Sequence, residues 1–140
     1  MTFELNKYTG RFLLLAAVSA LLLAALSCSK ESELRSDIVG EWHYCDADAD
    51  VFLAFSGTGD YELFQRIGDG RYRGYTGKWT LKKDILSGSY AEGISWGSSY
   101  KLSIGSGTMT LTAVNGSGEK NVYRRENIPY SVRETAILQK

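Results

Sequence analysis

The stretch Ile38-Val39-Gly40-Glu41-Trp42 decides how this chain is read. It follows a polar lead-in and opens the first strand-like run, Val39 to Cys45. A glycine beside a strand tryptophan lets another backbone or side chain come close, so a large ring can lie across the mouth or floor of a barrel. Trp42 is therefore read as a plug residue. Alternation puts Tyr44 on its face of the strand and His43 and Cys45 on the other.

From Trp42 onward the sequence reads as short strands and tight turns. Asp46 to Asp50 is a turn, Val51 to Ser56 an apolar strand, and Gly57 to Asp60 a reversal. Tyr61 to Ile67 and Arg71 to Leu81 flank the turn Gly68-Asp69-Gly70, and Gly74 and Gly77 predict a bulge or sharp bend in the longer strand. Ile85 to Tyr90 is next, then a longer apolar loop, Ala91 to Gly97, then Ser98 to Ile104. Thr108 to Val114 gives the cleanest alternation, with Met109, Leu111 and Ala113 against Thr108, Thr110 and Thr112. Glu119 to Glu126 follows the hairpin turn Asn115 to Gly118.

Eight short strands with short connections predict an all-β fold: an eight-stranded antiparallel up-and-down barrel, whose closure removes exposed edges. Asn127 as a cap and Pro129 in the first turn predict a helix from Pro129 to Leu138. Its apolar residues Ile128, Val132 and Ala136 recur every four positions and would dock on the barrel.

Composition limits the function classes. The 140 residues carry 16 Lys plus Arg and 16 Asp plus Glu, so formal net charge is zero. No basic excess exists to track a phosphate backbone, which argues against a nucleic-acid partner. One Pro and 15 Gly suit tight turns.

Residues 1–27 read as an address. Lys7 and Arg11 precede an apolar run, Phe12 to Leu26, shorter than the about 20 residues a membrane span needs. Ala25-Leu26-Ser27-Cys28 resembles the lipobox of bacterial lipoproteins. The resemblance implies cleavage before Cys28, fatty acyl chains such as palmitate on its thiol and new amino group, and a membrane anchor. Ser29 in place of Asp implies the outer membrane. The same residues also read as an ordinary secretory leader with an incidental cysteine. Ser29-Lys30-Glu31-Ser32-Glu33 resembles the acidic surface-export signals of some Gram-negative lipoproteins, and reads equally as a solvated tether. The domain reading is a signal peptide over 1–27, a lipidated polar tether over 28–36 and a barrel with its helix over 37–138. Glu33 to Ile38 is read as a helical turn leading into the first strand.

Gly40-Glu41-Trp42, Phe55-Ser56-Gly57-Thr58-Gly59 with Tyr61, Gly77-Lys78-Trp79-Thr80-Leu81 and Thr108-Met109-Thr110-Leu111-Thr112 together resemble the lipocalin-like domains of bacterial lipoproteins. The resemblance covers roughly Asp37 to Glu126. It implies that an arginine of the last strand packs across Trp42. Arg124 and Arg125 are the candidates, and the resemblance favours Arg125, with Tyr123 on its face.

An eight-stranded barrel is just wide enough to be filled by its own side chains or to hold one small ligand. One reading is a pocket for a small hydrophobic or amphipathic molecule among Trp42, Tyr44, Phe55, Tyr61, Trp79 and Tyr100. The other is a packed barrel that binds a protein or glycan through Ile94 and Trp96 of the apolar loop, with Phe52, Phe64 and Tyr75 exposed on the outward phase.

No cofactor is called for. His43 and Cys45 beside Asp46, Asp48 and Asp50 give too few ligands for zinc. Val51 and Gly57 stand where a calcium loop needs its Gly and its Glu. Cys45 is read as a small buried residue, and without a placed base it makes no nucleophile. The chain is thus read as non-enzymatic.

Overall fold

The structure is a computed structural model and describes residues 29–139. The leader and Cys28 lie outside the described residues. Eight antiparallel strands are β1 (Gly40–Cys45), β2 (Ala49–Phe55), β3 (Asp60–Ile67), β4 (Arg73–Lys82), β5 (Ile85–Tyr90), β6 (Tyr100–Gly105), β7 (Thr108–Ala113) and β8 (Lys120–Arg125). They pair in the order β3-β2-β1-β8-β7-β6-β5-β4, and a β3–β4 pairing closes the ring. The expected eight-stranded up-and-down barrel is the fold.

Alternation decides what fills it. Trp42 pairs with Leu53 and Leu53 with Leu63, so these three share the inner face across β1, β2 and β3. Leu102 opposite Leu111 and Met109 opposite Tyr123 do the same on the far wall. The turn expected over Asp46 to Asp50 is shorter, because Ala49 and Asp50 already belong to β2. No bulge interrupts β4: its registers with β3 and β5 run residue for residue. Gly77 is there for space instead, since a Cβ would sit 1.9 Å from the Ser89 carbonyl and 2.7 Å from the Tyr61 ring.

The polar tether expected over 28–36 is, from residue 29, a helix (α1, residues 29–38). Leu34 and Ile38 lie one turn apart and face the core, where Ile38 is fully buried. Arg35 donates to the Leu81 carbonyl and lies over Trp79, and Glu31 accepts the Lys83 amide. The sequence reading missed the apolar pair because Lys30, Glu31, Ser32 and Glu33 dominate the segment.

The second helix, α2 (Tyr130–Thr135), is shorter than expected. Pro129 occupies the cap position, Asn127 does not, and no side-chain cap bond forms. Ala136 turns extended, and β9 (Ile137–Leu138) pairs in parallel with Arg73 and Gly74 of β4. The reason is an open edge. β5 reaches β4 only from Gly77 onward, so the first residues of β4 lack a partner on that side.

Beneath α2 lies a second small core of Phe52, Phe64, Ile128 and Val132. Phe52 and Phe64 point outward as expected but are covered, 4% exposed each, and are not the exposed rings expected. Full burial of such rings contributes about 1.5–3 kcal/mol apiece. Tyr75 is half-buried against Tyr90.

One barrel end is sealed. The Trp42 indole is fully buried and donates to the Ile38 carbonyl at 2.8 Å. The Arg125 guanidinium lies 4.1 Å from the ring centroid and donates to the Val39 and Asp37 carbonyls. Register selects Arg125 over Arg124: Arg125 pairs with inward Trp42, Arg124 with outward His43. Arg125→Ala is expected to cost about 1–3 kcal/mol in urea unfolding, with Arg125→Lys recovering only part, because the indole contact and two carbonyl bonds go together.

Candidate functional site

The opposite end of the barrel is open. A cup of about 410 Å3 enters there, between the turns after β1, β3 and β7 and the loop after β5. Its apolar lining is Val51, Leu53, Phe55, Leu86 and Leu111. Its polar lining is phenolic and amide-bearing, with Tyr44, Tyr61, Tyr100, Tyr123, Gln65 and Asn121, and register sets Val51 beside Tyr44 and Gln65 and Leu111 beside Asn121. Asp46 and Glu119 stand at the rim.

Of the six expected ligand residues, Tyr44, Phe55, Tyr61 and Tyr100 line this cup. Trp42 and Trp79 do not. Both are packed in the closed end, Trp79 edge-on to Phe55 with its indole nitrogen donating to the Ser56 carbonyl. Alternation alone cannot separate the two ends, because residues of one inward face alternate identically along the whole strand.

Trp96 is not an exposed anchor. The loop after β5 folds back: Ser95 bridges Ser89, and the Trp96 amide donates to the Gly88 carbonyl. The indole then enters the cup wall, 5.1 Å from the Tyr61 ring and edge-on to it, donating to the Tyr61 hydroxyl at 2.9 Å. Gly88 permits this. A Cβ there would sit 2.3 Å from the Trp96 ring. Ile94 of the same loop stays out, 60% exposed.

The phenols are held neutral. Burial pushes the Tyr61, Tyr100 and Tyr123 hydroxyls up, with Glu119 adding to the last two. Tyr44 is raised first by its hydrogen bond to Asp46. That bond, with the Asp48 and Ala49 amides, holds the Asp46 carboxyl below its ordinary range. Tyr123 is distinctive: it is 7% exposed, lines the cup, and its hydroxyl makes no hydrogen bond among the described residues. The ring is buried, but its hydroxyl oxygen is accessible from the cup, since no buried side-chain oxygen among the described residues lacks a partner.

Gln65, Asn121, Glu119 and Tyr123 were missed by sequence reasoning. The signal was present, since Tyr61, Leu63 and Gln65, and Glu119, Asn121 and Tyr123, each recur with period two. Polar residues on an inward phase were discounted in favour of apolar ones.

On the outer face, His43 is brought together with Asp50 and Cys45, their ligand atoms within 4.8 Å of one another. His43 stacks on Phe52 and meets Asp50 through Nε2 and Glu126 through Nδ1. Tyr72 donates to the other Asp50 oxygen at 2.5 Å, and Arg66 lies 3.3 Å from it. Cys45 is exposed, contrary to expectation, because it ends β1 at the rim on the outward phase. The network reads as a tie between β1, β2, β3 and β8. Burial and the Asp50 bond push Tyr72 up to about 12. Burial opposes the Asp50 charge, but the bonds from Tyr72 and His43 outweigh it, and its carboxyl falls below the ordinary value of 3.8.

Comparison with known proteins finds no matching family model, no matching curated protein and no matching solved structure.

Two outcomes follow from this geometry. Gly88→Ala should push Trp96 out of the wall, seen as a red shift of tryptophan emission and a loss of about 1–3 kcal/mol of stability. Asp50 has a folded pKa lowered from 3.8, so its contribution is present above that value and disappears as pH falls through the lower folded value. Asp50→Asn should therefore lower Tm at neutral pH, and the gap to the parent should close in acid. A gap unchanged from neutral pH into strong acid would contradict the assignment.

Proposed function

We propose that this chain is a lipid-anchored envelope protein of the lipocalin-like kind, which holds one small amphipathic or hydrophobic molecule in its barrel and catalyses no reaction. The observation that carries the reading is the cup itself: a lining of apolar side chains and phenols, the Tyr123 hydroxyl accessible from within it, and a floor sealed below. Its volume of about 410 Å3 falls in the range of ligand pockets, about 300–1,000 Å3.

The anchor reading rests on the lipobox-like Ala25-Leu26-Ser27-Cys28 and on Ser29, which point to the outer membrane. The fold accommodates it. Helix α1, described from residue 29, packs across the closed end. The mouth of the cup is at the opposite end of the barrel from this helix. Several acyl chains, at about 0.8 kcal/mol per buried CH₂, suffice for stable attachment. The alternative of a filled barrel that docks on a protein or glycan keeps only Ile94 exposed among its main anchors, since Trp96, Phe52 and Phe64 are enclosed.

Native mass spectrometry of the protein purified from its membrane is expected to show an excess mass that denaturation removes. Val51→Phe, which adds a ring to the lining of the cup, should weaken retention by about tenfold, equivalent to 1.4 kcal/mol. Full-strength binding in Val51→Phe, or a barrel that takes up no amphiphile at all, would sink the reading. Cys28→Ala should move the protein from the membrane fraction to the soluble one.

A further inference from the structure

We propose that the cup selects a cationic head: its ligand is an organic ammonium with an apolar body, the ammonium lying at the rim among Asp46, Glu119 and the tyrosine rings. This rests on the reading of the cup as a ligand site and goes beyond it by fixing the sign of the ligand's charge.

The lining contains two carboxylates and no Lys, Arg or His. That asymmetry is not general to the chain, whose acidic and basic residues balance at 16 each. Strand alternation produces it. On β8, Asn121 and Tyr123 face in with Glu119 before them, and Lys120 between points the other way. On β3, Gln65 faces in while Arg66 faces out and is tied to Asp50. An anionic head would meet two like charges with no counter-charge in the lining, which disfavours it relative to a cation.

The carboxylates are placed to act on a ligand. Asp46 accepts hydrogen bonds from the Asp48 and Ala49 amides at 2.8 Å each and from the Tyr44 hydroxyl, so its charge is fixed at the mouth. The Tyr44 ring lies 5.6 Å from that of Tyr123, tilted against it. Glu119 carries its field to Tyr100 and Tyr123. Aromatic faces attract cations, with Tyr among the rings used to recognise quaternary ammonium groups. The Tyr123 hydroxyl, bonded to no described residue and accessible from the cup, supplies a neutral oxygen to the ligand. Around it, Val51, Leu53 and Leu111 line the cup with apolar surface that suits an apolar body.

The test uses the full chain in phospholipid nanodiscs, with empty nanodiscs as reference. Naphthylmethyl-trimethylammonium, naphthylmethanol and naphthylacetate share one apolar body and differ in charge. Binding is read by energy transfer from tryptophan. The cation is expected to bind at least about tenfold more tightly than the anion, with the alcohol between. Added salt should narrow the gap. Asp46→Asn with Glu119→Gln, both at the rim, should bring the cation down to the level of the alcohol while alcohol binding holds. That unchanged alcohol affinity separates lost charge from lost fold. Equal affinity for all three probes, or tightest binding of naphthylacetate, overturns the cation inference and leaves the cup as a ligand site. Failure of all three to bind the parent chain overturns both.

Discussion

The contact of Arg125 with Trp42 is the constraint the rest of the barrel depends on. It joins the last strand to the first, where β1 and β8 share only two paired residues. It also joins both to α1, through the Arg125 bond to Asp37 and the Trp42 bond to Ile38. The guanidinium needs room, and Gly40 leaves it: a Cβ there would lie 2.5 Å from Arg125 Nη1. Gly40 also holds a φ of 132°, a conformation that side-chain-bearing residues avoid. Three residues in a row thus have three tasks. Gly40 admits the cation and Trp42 forms the floor. Glu41, facing outward between them, accepts the Ile128 amide and the Arg133 guanidinium and so docks the C-terminal segment.

Sealing one end has a consequence at the other. The large indoles of Trp42 and Trp79, with Ile38, Leu81 and Met109, fill the closed half. The open half is walled by Val, Leu and Tyr, and space remains. Trp96 sets the shape of that space from outside the barrel's own strands. It comes from a loop, passes over a glycine of β5 and hydrogen-bonds to a tyrosine of β3. Outside the barrel, α2 and β9 cover an apolar face and an unpaired edge that the eight strands leave over. Arg133 holds α2 in place with paired bonds to Glu62 as well as its bond to Glu41.

The candidate site was legible in part. Tyr44, Phe55, Tyr61 and Tyr100 could be placed inside by period two alone, and they line the cup. Trp42 and Trp79 satisfy the same rule and lie at the wrong end of the barrel. Phe52 and Phe64 satisfy the outward phase and are nonetheless buried, because a helix remote in sequence lies on them. Trp96 had no phase to read, as it stands in a loop. Its burial depends on the absent side chain of Gly88, a coincidence of two segments that pattern cannot foresee.

The sequence by itself determined the strands, their number, the turns between them and so the closed barrel, because alternation and turn chemistry are local and each was strong. It also named both partners of the Trp42 contact, though choosing Arg125 over Arg124 took the β1–β8 register. Only the tertiary structure decided that the lead-in is a helix across the floor, that the chain end turns from helix to strand, and that the barrel is half filled and half open. It alone decided that the rim carries acid without base. Each of these depends on which side chains from distant strands arrive at the same depth in the barrel, and depth is set by register and closure, not by the order of residues along one strand.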